Sequence, residues 1–201
     1  MNEDELREIV QAERLRIAND LHDRVLQRIF ATGMSLEGAL RKAVVVDVIT
    51  AIRQAIFDLD ETVGEIRTTV YSFKGGQGSL RQQILREIER ARIAWKVHVD
   101  FTIVGPVDTM VSLDRYSDVI AVTSELLNNA GRHGNGTNIK YVLEVDGSSL
   151  EISVTNECQS DRALHFGNGL ENCSARASKY SGVLSVENLN PGLRILWKIP
   201  L

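Results

Sequence analysis

The sequence predicts an α+β protein in two parts, an N-terminal helical hairpin followed by an α/β sandwich with helices on one face of a sheet. Three observations predict it. No proline occurs before Pro106, so the first half is free to be helical. Apolar residues in the first third recur in alternating steps of three and four. Past the glycine-rich string KGGQGS, residues 74–79, runs of period two appear between helical ones.

Residues 3–42 read as one long helix, broken near 42–47, and a second helix runs to about residue 73. Val45, Ile49, Ile52, Ile56, Leu59, Val63, Ile66 and Val70 mark a heptad seam in the second. The first has a rougher seam through Ala18, Leu21, Val25, Ile29, Thr32, Leu36 and Ala39. Two helices with a short connection make an antiparallel hairpin. A lone hairpin buries little apolar surface, so a homodimer that completes a four-helix bundle is expected. The glycines then end the helix. The domains are 1–74 and 80–201, with 75–79 as the linker.

In the second part, residues 80–96 form an amphipathic helix and 97–104 alternate as a strand. Residues 113–133 read as a helix. Strands follow at 139–145 and 150–155, joined by a turn at Asp146 and Gly147. Residues 158–168 form a polar loop and 169–180 a helix, with final strands at 183–187 and 193–199. Strands mostly adjacent in sequence imply an α+β layer structure. His98 falls in an alternating strand and reads as structural. Trp95 and Trp197 read as packing residues, and Cys173 as core.

Composition excludes several function classes. The 201 residues are 43% hydrophobic and 25% charged, with a formal net charge of −4. That balance offers no nucleic-acid or anionic-membrane surface. Cys158 and Cys173 form no C-x-x-C, so neither a disulfide framework nor a structural zinc site is expected, and a cytoplasmic location follows. No apolar run is long enough to span a membrane.

One stretch carries chemistry: ERLRIANDLHDRVLQRIF, residues 13–30. Asp23 and Gln27 are four apart and share one face of a helix. His22 lies beside the seam. An exposed imidazole next to a carboxylate can have its ring oriented and its other nitrogen made more nucleophilic. A histidine on a charged helix can equally be an ordinary surface residue. Periodicity does not decide between them.

The string E-R-x-R-I-A-x-D-L-H-D-x-V-x-Q, residues 13–27, resembles the phosphoacceptor helix of two-component sensor histidine kinases of the NarX/DesK/DevS class. IFATGMSLEGA at 29–39, EIRTTVYSF at 65–73 and IVGP at 103–106 are similar to DevS/DosT-like kinase cores, and the similarity runs to the C-terminus. The resemblance implies a dimerisation and histidine-phosphotransfer hairpin followed by a GHKL-type ATP-binding domain. By it, His22 takes the γ-phosphoryl of ATP, Asp23 activates the imidazole, and Gln27 with Asp23 positions a water that dephosphorylates the partner. That partner is the receiver domain of a NarL-type response regulator. An upstream sensor module outside these residues is implied as well.

SELLNNAGRHG, residues 124–134, puts Glu125 and Asn129 four apart on a helix. Oxygen donors of this kind suit Mg²⁺, though such a pair is also common on any exposed helix. Arg132 and His133 could meet phosphates. The string is similar to the asparagine box of the kinase family, which makes Asn129 the Mg²⁺ ligand and Glu125 the base or the partner of metal-bound water. FGNGLEN, residues 166–172, sets Gly167 and Gly169 before a helix start, where backbone N–H groups favour phosphate. Alone it is also an ordinary loop. It is similar to the family's second glycine box, with Leu170 in register.

The first glycine box departs from the family. Its D-x-G-x-G is replaced by NECQS, with Asn156 at the position of the adenine-reading Asp and with Cys158 and Ser160 where glycines belong. Near the end, Leu193 stands where the family has a supporting Thr. The neutral Asn156 accepts the adenine N–H less strongly than a carboxylate would, roughly half as strongly. Two expectations follow: an ATP-dependent histidine kinase core using Mg²⁺, or a degenerate kinase serving as scaffold, regulator phosphatase or phosphotransfer protein.

Overall fold

The computed structural model describes residues 13, 16, 25–72, 78–133, 138–156, 168–189 and 192–201, with backbone alone at 69–72, 133 and 168. The chain divides into two compact units, Met1–Ser79 and Leu80–Leu201.

The described part of the first unit is a hairpin of α1 (Gln27–Leu40) and α2 (Val46–Ser72), with a π-helical turn at 25–26 leading in. The chain turns at 41–45, where Lys42 N–H bonds to the Ala39 carbonyl at 3.0 Å. Ile56 and Val63 of the expected α2 seam are buried, and Ile49, Ile52, Leu59 and Ile66 are half-buried. The α1 seam is corrected on one flank. Ile29 and Leu36 are partly covered as expected, but the other covered positions are Leu26, Gly33, Glu37 and Leu40, while Val25, Thr32 and Ala39 are exposed. The apolar stripe of a helix is wider than a two-residue seam, and within one chain α2 covers only one side of it. The open side carries Phe30 and Met34, and α2 presents Phe57, each about two-fifths exposed (40%, 39% and 43%).

In the second unit, α3 (Leu80–Trp95), α4 (Val107–Met110), α5 (Leu113–His133) and α6 (Asn168–Ser178) accompany a five-stranded sheet. Its strands are β1 (Val99–Val104), β2 (Ile139–Val145), β3 (Ser149–Asn156), β4 (Val183–Leu189) and β5 (Gly192–Pro200), in the order β1-β2-β3-β5-β4. β1 pairs parallel with β2, and the other pairs are antiparallel. A parallel pair needs a crossover, and α5 supplies it. Alternation places Ile139, Tyr141, Leu143 and Val145 of β2 in the core, with Lys140 and Glu144 exposed between them. Trp197 and Tyr141 are fully buried; the Trp197 indole donates to the Cys173 carbonyl at 3.0 Å, and Tyr141 pairs with Thr123 at 3.0 Å.

Two details differ from the sequence reading. β1 begins at Val99, so His98 lies outside the strand, exposed, with Nε2 2.9 Å from Asp100 Oδ1. The short helix α4 was not expected. It carries the buried Asp108, whose Oδ1 accepts the Leu80 N–H at 2.6 Å and the Tyr116 hydroxyl at 3.2 Å. Asp108 thus satisfies one of the free N–H groups at the start of α3 from 28 positions away in sequence. Gly105, between β1 and α4, has φ +85°, and a Cβ there would lie 1.9 Å from the Val145 carbonyl oxygen. Only glycine fits that corner.

Candidate functional site

α5 is amphipathic. Val119, Val122, Leu126, Leu127 and Ala130 pack into the core. That leaves Glu125 and Asn129 half-buried on an adjoining face, and Asn129 Nδ2 donates to Glu125 Oε1 at 3.2 Å. The first turn of α6 closes on the same carboxylate: a Cβ at Gly169 would lie 1.8 Å from Glu125 Oε1. The glycine that the sequence offered to a phosphate is therefore also the only residue that lets Glu125 approach α6. Leu170, next along, is buried and packs in the core.

One turn further, the Cys173 thiol is buried and pushed up to about 12, first by loss of solvent and then by the negative charge of Glu125, with Arg176 opposing. It is held as a neutral thiol at ordinary pH, which suits a core residue.

Asn156 ends β3, buried, directly opposite Leu193 of β5. Its Nδ2 donates to the Ala130 carbonyl over a long 3.5 Å, tying the strand end to α5 beside Asn129. Arg132 is exposed near the C-terminal end of α5. The structure thus brings Glu125, Asn129 and Gly169 into contact and sets Asn156 against the residue next to Asn129. His133 is in α5, with its side chain outside the description. Gln27 is the first residue of α1 in the other unit and is exposed. His22, Asp23, Gly167, Cys158 and Ser160 lie outside the described residues.

Two supports of this site were not read from the sequence. Trp95 Nε1 donates to Asn128 Oδ1 at 3.0 Å, and the indole lies on Gly131, where a Cβ would come within 2.3 Å of the ring. At the other end of α5, the buried Asp118 accepts from Lys179 at 2.8 Å, from the Tyr180 hydroxyl at 2.7 Å and from Arg176. Burial by itself would raise the Asp118 pKa, but these three donors outweigh it and hold the carboxyl below its usual range. Arg115 stacks over Tyr180 at 4.9 Å. The clasp fixes the C-terminal end of α6 against α5, while Glu125 meets its N-terminal end. Residues some 60 positions apart in sequence give no local signal of such contacts.

Among the described residues, no group of three or more His, Cys, Asp or Glu is arranged to hold a metal ion, and no helix is long and apolar enough to cross a membrane.

Residues 13–78 match the family model HisKA_3, described as histidine kinase. The chain is 26% identical over 98% of its length to the sensor histidine kinase YxjM of Bacillus subtilis, covering 49% of that protein. It is 25% identical to LiaS of the same organism, over 96% of this chain and 55% of LiaS. The chain therefore spans about half the length of these curated relatives. Among solved structures, the catalytic domain of histidine kinase ThkA superposes with a TM-score of 0.50 at 20% identity, covering 61% of this chain and 93% of that one. The histidine kinase domain of the blue-light activated histidine kinase EL346 of Erythrobacter litoralis gives 0.53 at 14% identity, over 86% and 94%. At these identities the structural matches establish the fold.

Proposed function

We infer that the chain, whose residues 13–78 match the histidine kinase family model and whose second unit has the fold of a histidine kinase catalytic domain, is an ATP-dependent sensor histidine kinase core of a two-component system. One observation carries the nucleotide site: Glu125 on α5, which accepts from Asn129, meets Gly169 at the start of α6. Phosphoryl transfer is mostly positioning and charge stabilisation, and the convergence of these two helices on a carboxylate–amide pair supports that reading.

The residue roles are as follows. Asn156 accepts from the adenine amino group. Gly167, Gly169 and Leu170 shape the phosphate loop, and Arg132 and His133 lie at its edge. Asn129 fits a Mg²⁺ ion, because its amide nitrogen is engaged by Glu125 and its hard oxygen remains for the metal. When bound, that ion neutralises phosphate charge. Glu125 serves either as a base or as the partner of metal-bound water. The His22 imidazole attacks the γ-phosphorus; the new N–P bond forms as the bond to the β,γ-bridging oxygen breaks, ADP leaves, and Asp23 receives the imidazole proton. The phosphoryl group then passes to a receiver-domain aspartate of a NarL-type response regulator, and Gln27 with Asp23 orients the water for the reverse task.

The exposed Phe30, Met34 and Phe57 support a homodimeric four-helix bundle. Light scattering on the full chain should give twice its mass of 22.4 kDa; a monomer refutes the bundle. Domains 1–74 and 80–201, a cytoplasmic setting and an upstream sensor module complete the reading.

A second reading has its own observation. Asn156 is a neutral acceptor and stands directly opposite the apolar Leu193, which favours weak nucleotide binding. The chain would then be a degenerate kinase acting as scaffold, regulator phosphatase or phosphotransfer protein. Intact mass spectrometry after incubation with Mg-ATP separates the two. An acid-labile phosphoryl gain that disappears in His22→Gln supports the kinase; no gain in a folded dimer refutes it.

A further inference from the structure

We propose that Glu125 is a positioning residue, one that presents the Asn129 amide oxygen to the metal, and not a base. The proposal deepens the nucleotide reading of this site and rests on it.

An asparagine amide has a donor end and an acceptor end of nearly the same shape, and only its partners decide which way it points. A carboxylate accepts and does not donate. Glu125 Oε1, 3.2 Å from Asn129 Nδ2, therefore selects one orientation: nitrogen toward Glu125, oxygen away from it. Reversed, the amide would oppose oxygen to carboxylate and turn N–H groups toward the cation.

The same oxygen is constrained from a second direction. A Cβ at Gly169 would approach Oε1 to 1.8 Å and the carboxyl carbon to 2.6 Å. The rotamer of Glu125, the amide orientation of Asn129 and the closure of α6 on α5 are thus one linked arrangement. The absence of a side chain at 169 is what permits it. Oε1 is thus held as the acceptor for the Asn129 amide and fixed in place by the approach of α6. Partners that orient a ligand typically govern metal affinity by roughly ten- to a hundredfold.

The test is calorimetric titration of the full chain with ATP, with and without Mg²⁺, beside phosphorylation of His22 followed by intact mass. Glu125→Ala should weaken Mg-ATP binding by roughly ten- to a hundredfold and weaken Mg-free ATP binding far less, a Mg-dependent difference that general destabilisation would not give. Glu125→Gln keeps an acceptor oxygen and should restore most of the Mg-dependent affinity and the phosphorylation rate. Gly169→Ala should lose at least as much Mg-ATP affinity as Glu125→Ala, because the new methyl would strike Oε1. The double variant should fall short of the sum of the two single losses, because the carboxylate that the new methyl would strike is gone. Glu125→Gln that keeps Mg-ATP affinity but loses phosphorylation by about 10²–10⁴ would establish the base and overturn the proposal. So would additive losses in the double variant. A wild-type chain that binds no Mg-ATP overturns the nucleotide reading itself, and this inference with it.

Discussion

Asn156→Asp sets two effects of opposite sign against each other. Asn156 is 5% exposed and its amide nitrogen donates to the Ala130 carbonyl at 3.5 Å. An aspartate loses that donor and turns a carboxylate toward a carbonyl oxygen in a buried setting. The native bond is long, so the cost falls in the lower part of the range for an unsatisfied buried group, about 1–2 kcal/mol. For a unit of this size that is a fall of about 4–8 °C in Tm without nucleotide. With ATP, a charged acceptor for the adenine N–H replaces a neutral one, worth about 1.4 kcal/mol, or tenfold in affinity. Saturating ligand passes that gain to the folded state. The variant should therefore melt below wild type alone and show a larger ATP-induced rise, the two nearly meeting when saturated. Differential scanning fluorimetry across an ATP titration reads both quantities. An unchanged ATP-induced rise would refute the adenine assignment, and an unchanged nucleotide-free Tm would refute the role given to the Ala130 bond.

Asp118→Asn should lower the Tm at pH 7, because the acceptor for Arg176, Lys179 and Tyr180 becomes neutral; circular-dichroism melts would show it. The carboxyl is held below its usual range, so its contribution is complete above the unfolded carboxylate pKa, about 3.9, and is lost as pH falls through the lower folded value. The difference between variant and wild type should shrink below about pH 4, and a constant difference would refute the clasp. Gly131→Ala gains about 1 kcal/mol of helix propensity but drives a methyl to within 2.3 Å of the Trp95 ring, costing about 1–3 kcal/mol. A net loss with a shifted Trp95 emission is expected in denaturant melts followed by fluorescence. In a Trp95→Ala background, the same change should stabilise.

Legibility in the sequence followed the range of the interaction. α5 begins and ends at Leu113 and His133 as its periodicity indicates, because a helix with a continuous apolar face declares both its ends. Adjacent strands such as β2 and β3 are likewise local, joined by Asp146, whose carboxylate accepts from the Ser148 and Ser149 N–H groups. The parallel β1–β2 pair was not legible, because neighbours in a parallel sheet are separated by a whole crossover. Nor was α4, since a four-residue helix is shorter than its own period pattern. The α1 stripe was legible as apolar but not as to which flank α2 would cover.

The site divides along the same line. Glu125 and Asn129 share one helix, so their spacing alone predicted a pair, and 3.2 Å is what i, i+4 delivers. Gly169 was singled out for the right property, the missing side chain, and matched to a phosphate alone. A glycine before a helix suggests an approaching phosphate, yet the approach visible in the structure is that of a carboxylate from another helix. A single sequence records that space is needed at a position but not what fills it. Asp118 lies at the far limit: its partners Arg176, Lys179 and Tyr180 are ordinary surface residue types, and only the packing of α6 on α5 makes them a clasp. That packing in turn depends on Gly169 leaving room at the opposite end, so the least legible contact and the most legible glycine hold the same pair of helices.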